Sequence, residues 1–146
     1  MLLLAFLIGI VAGLRAMTAP AAAAWAAHLG YLGDGEWLAF MGWRWTPWVF
    51  SVLALGELVT DKLPSTPSRK VPVQFGTRIL MGGLAGATFG GPLGGLLGIV
   101  GAVAGTYAGA AVRSRLAAAF GSDRPAALIE DLVAVIGAVL IVVAAR

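Results

Sequence analysis

From Ile79 to Val112 the chain runs for 34 residues without one charged side chain. A straight helix of that length would measure about 51 Å, well beyond the roughly 30 Å hydrocarbon core of a bilayer. The run therefore has to turn, and GGPLGG at 90–95 carries the glycines and proline that a turn uses. Two segments follow, about 78–90 and about 93–112, the first of them short for a full crossing. Within the run Gly82, Gly86, Gly90, Gly94 and Gly98 recur at every fourth position, followed by Gly101, Gly105 and Gly109. Small residues at that spacing make a smooth helix face that lets two backbones approach closely inside a membrane. The partner of that face, in this chain or in a second one, stays open at this point.

The rest of the chain has the same character. Of 146 residues, 60% are hydrophobic and only 12% charged, against about 25% charged in soluble domains. A soluble protein of this length could neither hide so much apolar surface nor cover its exterior with so few charges. The expected fold is all-α: one multi-pass transmembrane helical bundle over 1–146, of about five segments with broken helices. The absence of cysteine excludes disulfides and thiolate chemistry. One histidine and scattered acids give no metal-ligand pattern, so no metal or other cofactor is expected. The net charge of +3 gathers in two short stretches, which is the form of a topology signal and not of a nucleic-acid surface.

The first apolar stretch, from Leu2 to about Gly30, holds a single charge, Arg15. At about 43 Å it must tilt, protrude or break. Pro20 in GLRAMTAPAAAAW marks a break, with Thr18 as the cap of a new helix. No basic region precedes the apolar start, so the stretch reads as a segment of the fold and not as a cleaved signal. All five tryptophans, Trp25, Trp37, Trp43, Trp45 and Trp48, fall close together around a loop with Asp34, Glu36 and Arg44, the pattern of an interfacial belt. A second span covers about Thr46 to Leu63, with Pro47 in its first turn. The last covers about Pro125 to Ala145.

Between the oily halves, residues 57–78 read ELVTDKLPSTPSRKVPVQFGTR. The basic loop 62–78, with Lys62, Arg69, Lys70 and Arg78, and the group Arg113, Arg115 and Arg124 should both be cytoplasmic. The N-terminus then lies inside and the tryptophan loop outside. Arg69, Lys70 and Arg78 are candidates for lipid headgroups.

The halves 1–63 and 79–146 resemble each other. Gly9, Val11, Ala12, Gly13, Ala16 and Ala19 match identical residues 92 positions later, and ALGELV from Ala54 resembles ALIEDLV from Ala127, which sets Glu57 opposite Glu130. In the topology above the copies run in opposite directions. Such an inverted repeat is a known plan for transporters, with a midplane site at the repeat interface.

Four motifs, GLRAMTAPA, the joint from Glu57 through DKLPSTPSR, GTYAGAAVR and RPAALIEDLVAV, together resemble an uncharacterised bacterial membrane family, domain of unknown function 4126. The resemblance covers nearly the whole chain and is most specific from Asp61 to Arg69. It implies a small polytopic protein of the bacterial inner membrane and supplies no activity.

Ionisable residues inside a bilayer are costly and mark functional sites by default. Arg15, beside the helix break, can form an anion site with the free N–H groups of the following helix, or a structural ion pair with Glu57 or Glu130. Glu57, Asp61, Glu130 and Asp131 can carry protons or a cation, since desolvation disfavours the charged form of a carboxylate; for Asp61 and Asp131 plain helix-end solvation is the competing reading. Thr18 and Tyr107 are further candidates for a polar path. Two function classes result: a transporter or channel for a small solute, an anion among the candidates, working as a homodimer; or a scaffold that associates through its glycine ladder. No nucleophile and base stand together, so an enzyme is not expected.

Overall fold

The computed structural model describes residues 1–32, 36–61 and 71–146. Among the described residues the fold is all-helical, with α1 Leu2–Leu14, α2 Thr18–His28, a 3-10 segment Glu36–Gly42, α3 Thr46–Thr60, α4 Pro72–Phe120 and α5 Asp123–Ala145. Two of these, α4 and α5, are long and apolar enough to cross a membrane.

α4 consists of two helical limbs that meet at a sharp turn. Gly90 and Gly91 leave helical geometry, and Gly91 sits at φ 65°, ψ −155°, a region only glycine enters without strain. Pro92 then starts the second limb, where its missing N–H costs little. The chain folds back there, so that Gly82 faces Gly98 and Gly86 faces Gly94. The first limb begins at Pro72, six residues before the expected start, which gives it the length that the sequence reading lacked. Gly121, at φ 69°, ends the second limb and turns the chain into α5.

The glycine ladder is used inside the chain. A Cβ on Gly9 would run into the Gly98 carbonyl, one on Gly105 into Ile10, and one on Gly82 would come within 2.7 Å of the Ala102 Cβ. α1 therefore seats itself along both limbs of α4 at backbone distance. Buried alanines and Ile8 complete this core, which holds Ala5, Ala12, Ala85, Phe89 and Ala102. Close backbone approach with dispersion along the whole helix length replaces the large side chains of a soluble core.

The same pairs fix direction. Ala5 lies at Gly94, Gly9 at Gly98, Ile10 at Gly105, and Gly13 at Gly105 and Thr106, so α1 and the second limb run parallel. The expected inverted repeat is corrected for one aligned pair: the segments starting at Gly9 and Gly101 point the same way, side by side. Their likeness reflects a shared need for small residues on two faces that meet each other. By contrast α3 and α5, which carry Glu57 and Glu130, run in opposite directions, since Asp61 and Asp131 both meet Arg15 while Ser51 shares a cavity with Val139 and Val143.

The first 28 residues also differ from expectation. α5 meets α1 with Gly137 at Val11 and Asp131 at Arg15. The cavity between α2, α3 and α5 is lined by Thr18 and Trp25 on one wall and Val135 to Val143 on another. α2 thus returns along the part of α5 that α1 has already passed. The N-terminus and the tryptophan-rich segment lie at one end of the bundle, with the Gly90 turn, where a Cβ on Gly90 would meet Leu2. The opposite end carries Asp61, Arg113 and Gly121. The sequence had put the N-terminus and the tryptophans at opposite ends.

The tryptophans divide. Trp43, Trp45 and Trp48 are exposed. Trp25 packs between helices, edge-on to Trp48 at 5.1 Å, and its indole N–H donates to Ser51 at 3.0 Å.

Candidate functional site

Where α1 stops, its last carbonyls have no helical partner, and where α2 starts, neither do its first N–H groups. Arg15 adopts extended geometry at the join. The orphan groups are met by side chains from α3 and from both limbs of α4. The Ala16 and Met17 N–H groups donate to Oε1 and Oε2 of Glu57, each at 2.8 Å. The Gly13 carbonyl accepts from Arg78 Nη1 at 2.7 Å. Thr106 Oγ1 donates to the Ala102 carbonyl at 2.8 Å and reaches the Gly13 carbonyl at 3.5 Å. An acid thus sits at the positive end of α2 and a guanidinium at the negative end of α1, each where the helix dipole favours it. The two are themselves 4.0 Å apart.

Arg15 is wholly buried. Its Nε donates to Asp131 Oδ1 at 2.6 Å, its Nη1 pairs with Asp61 and donates to the Leu14 carbonyl at 3.2 Å, and its Nη2 pairs with Asp131. Glu130 lies 4.0 Å from Nη1. Glu130 also accepts from Arg113 Nη1 at 3.5 Å. Arg113 in turn holds Asp123 with a two-pronged contact, Nε at 3.0 Å and Nη2 at 2.7 Å. Asp123 is 64% exposed. Acids and guanidiniums therefore alternate from the fully buried Arg15 out to the rim.

Most of the expected residues come together here, in roles that differ from those expected. The anion at the start of α2 is the chain's own Glu57, which already occupies the site proposed for a solute beside Arg15. Arg15 pairs with Asp61 and Asp131, not with Glu57, and Glu130 stands at the outer limit of ion-pair distance. Asp131 is buried and Asp61, at the end of α3, is half-buried, and both pair with Arg15, so solvation at helix ends alone does not describe them. Arg78, expected at lipid headgroups, is 1% exposed and closes the end of α1. Its sequence signal was its place at the start of a 34-residue uncharged run. Tyr107 is 51% exposed and lies edge-on to Phe75 at 5.7 Å, away from Arg15. Thr18 is the first residue of α2, not its cap, and its buried hydroxyl has no hydrogen-bond partner among the described residues. Lys62, Arg69, Lys70 and Asp34 lie outside the described residues. Among the described residues no group of acids and histidine has metal-binding geometry.

No family model, no curated protein and no solved structure matches the chain.

Proposed function

We propose that the chain is a multi-pass protein of the bacterial inner membrane that moves a proton or a small cation, with the Arg15 network as its charged path. One observation carries this reading: two half-length helices meet end to end at a buried charged network that continues to the rim through Arg113 and Asp123. At 13 and 11 residues, α1 and α2 are about 20 and 16 Å long, so neither crosses a bilayer alone. Broken helices whose ends meet within the membrane are the usual construction of ion and solute sites. Non-helical backbone at that depth survives only where protein buries it or water lines it.

In this reading the end with Arg113, Arg115 and Arg124 faces the cytoplasm. Both limbs of α4 and α5 cross the membrane, α3, at 15 residues and about 22 Å, spans most of it, and α1 and α2 enter from the outer side and return to it. A cation is preferred to an anion because Glu57 fills the N–H site that an anion would need. The scaffold alternative draws less support, since the ladder glycines face inward. The apolar faces of α3 and α5 remain for lipid or a second copy.

The test is flux into proteoliposomes under imposed gradients of proton, sodium or potassium, read with a trapped dye selective for each ion. The purified protein should speed equilibration over empty vesicles, and Asp131→Asn should reduce the rate. Equal rates with and without protein, for each ion and both signs of membrane potential, would overturn the proposal.

A further inference from the structure

Between α2, α3 and α5, apart from the charged network, lies a cavity of about 350 Å³. Ala21, Ala22 and Ala138 form part of its wall, and the exposed Val139 and Val143 open it to the outside of the bundle. Among the described residues, none that line it is ionisable, and its polar lining side chains are Thr18, Trp25 and Ser51. Two of these are committed: the Trp25 indole N–H donates to Ser51 at 3.0 Å, and the Ser51 hydroxyl donates to the Pro47 carbonyl at 2.7 Å. Thr18 is 8% exposed, and its hydroxyl has no hydrogen-bond partner among the described residues. Threonine in a helix divides between two rotamers, so its hydroxyl and methyl can exchange places at the wall. A lone water at Thr18 would lack the two to four polar partners that hold one.

From this arrangement we infer that the cavity binds a neutral, apolar molecule with a ring carbonyl, the chemistry of a lipid-soluble quinone, whose oxygen accepts from the Thr18 hydroxyl. The inference rests on the membrane location proposed above and not on ion flux. A charged ligand would be desolvated here without a partner. A hydrocarbon chain would fill the volume and leave the hydroxyl unmet, whereas a carbonyl satisfies it. Thr18 starts α2, whose 11 residues measure about 16 Å, so a phospholipid seated from the outer rim brings only its tail to that depth. Trp25 offers a ring an aromatic neighbour. The volume equals that of about twelve waters at roughly 30 Å³ each, the scale of a methylated quinone such as duroquinone.

The experiment is photolabelling of the full chain in phosphatidylcholine nanodiscs with benzophenone, an aryl ketone that inserts into C–H bonds on irradiation, with the labelled residues mapped by peptide mass spectrometry. Saturable labelling of the cavity walls on α2 and α5 is expected. Duroquinone should displace it, and durene, the same ring without oxygens, should displace it about tenfold less well, the scale of one hydrogen bond. Thr18→Val keeps the shape and removes the hydroxyl, so it should narrow that difference severalfold. Val139→Trp fills the cavity from its exposed wall and leaves every ion pair in place, so it should abolish labelling and decides the matter if the Thr18 variant does not fold. The inference is overturned if the cavity walls show no saturable labelling, or if Val139→Trp is labelled as wild type is. It is equally overturned if durene displaces the label as well as duroquinone does, the outcome for a plain hydrocarbon site filled by acyl chains, or if Thr18→Val keeps the full difference. Ion flux without labelling would refute this inference alone. Thr18-dependent labelling without any flux would refute the transport reading and leave the site.

Discussion

Replacing Arg15 by leucine removes a guanidinium that is 0% exposed and is paired with Asp61 and Asp131. The leucine side chain fills part of the same space, so packing changes little and the loss is electrostatic. Asp131, buried, and Asp61, half-buried, would both lose the guanidinium that they pair with. Removing one partner of a buried pair costs about 3–5 kcal/mol, most of it from the charge left behind. The loss of two pairs and of the bond to the Leu14 carbonyl sets the expected value at the upper end, about 5 kcal/mol. By contrast, Asp123→Ala breaks the pair at the exposed rim and should cost about 1 kcal/mol or less. The assay is SDS titration in mixed micelles, followed by tryptophan fluorescence. The decisive comparison is the triple variant Arg15→Leu, Asp61→Asn, Asp131→Asn. If the cost is mainly uncompensated charge, the triple variant should recover more than half of the stability that Arg15→Leu loses. A single variant within about 1 kcal/mol of wild type, the range of exposed pairs, would refute this reasoning. So would a triple variant no better than the single one.

Two further outcomes test the packing. Thr18→Val should stabilise the fold by about 1 kcal/mol in the same titration, because it removes a buried hydroxyl without a partner and keeps the shape; a destabilised variant would show that the hydroxyl is bonded. Gly98→Leu should destabilise by about 3 kcal/mol or more, the upper range for overpacking, since even a Cβ there strikes Gly82 and Gly86, whereas Gly76→Leu meets open space and should leave the midpoint within error; equal effects at the two positions would contradict the ladder's internal role.

Much of the helix plan was legible. The turn near Gly90, the span starts at Pro47 and Pro92, the break before Pro20 and the glycine face all follow from local rules about proline, glycine and length. What local rules could not give was direction. A chain that breaks at Arg15 can continue or return, and the choice depends on Glu57 and Arg78, which reach the break from 40 to 65 residues away. The first aligned pair of the repeat was misread for a related reason: two faces built from glycine and alanine look alike whatever their orientation. The charge cluster was legible in membership and not in pairing. Glu130 and Asp131 are adjacent, and consecutive helix positions point about 100° apart, so spacing alone did not say which of the two would face Arg15. Arg78 was misread because an arginine next to a basic loop looks like part of that loop.

The join between α1 and α2 also bears on how the protein is made. Its keystone, Glu57, leaves the ribosome about forty residues after the N–H groups it will hold, and the face that α1 packs against comes later still. At roughly 5–20 residues per second, the opening hairpin waits several seconds with its polar groups unmet, and on the proposed membrane reading it does so in the translocon or the lipid. Nascent chains stalled before Gly105 should therefore be the preferred prey of membrane quality-control proteases, and chains stalled after α5 should escape them.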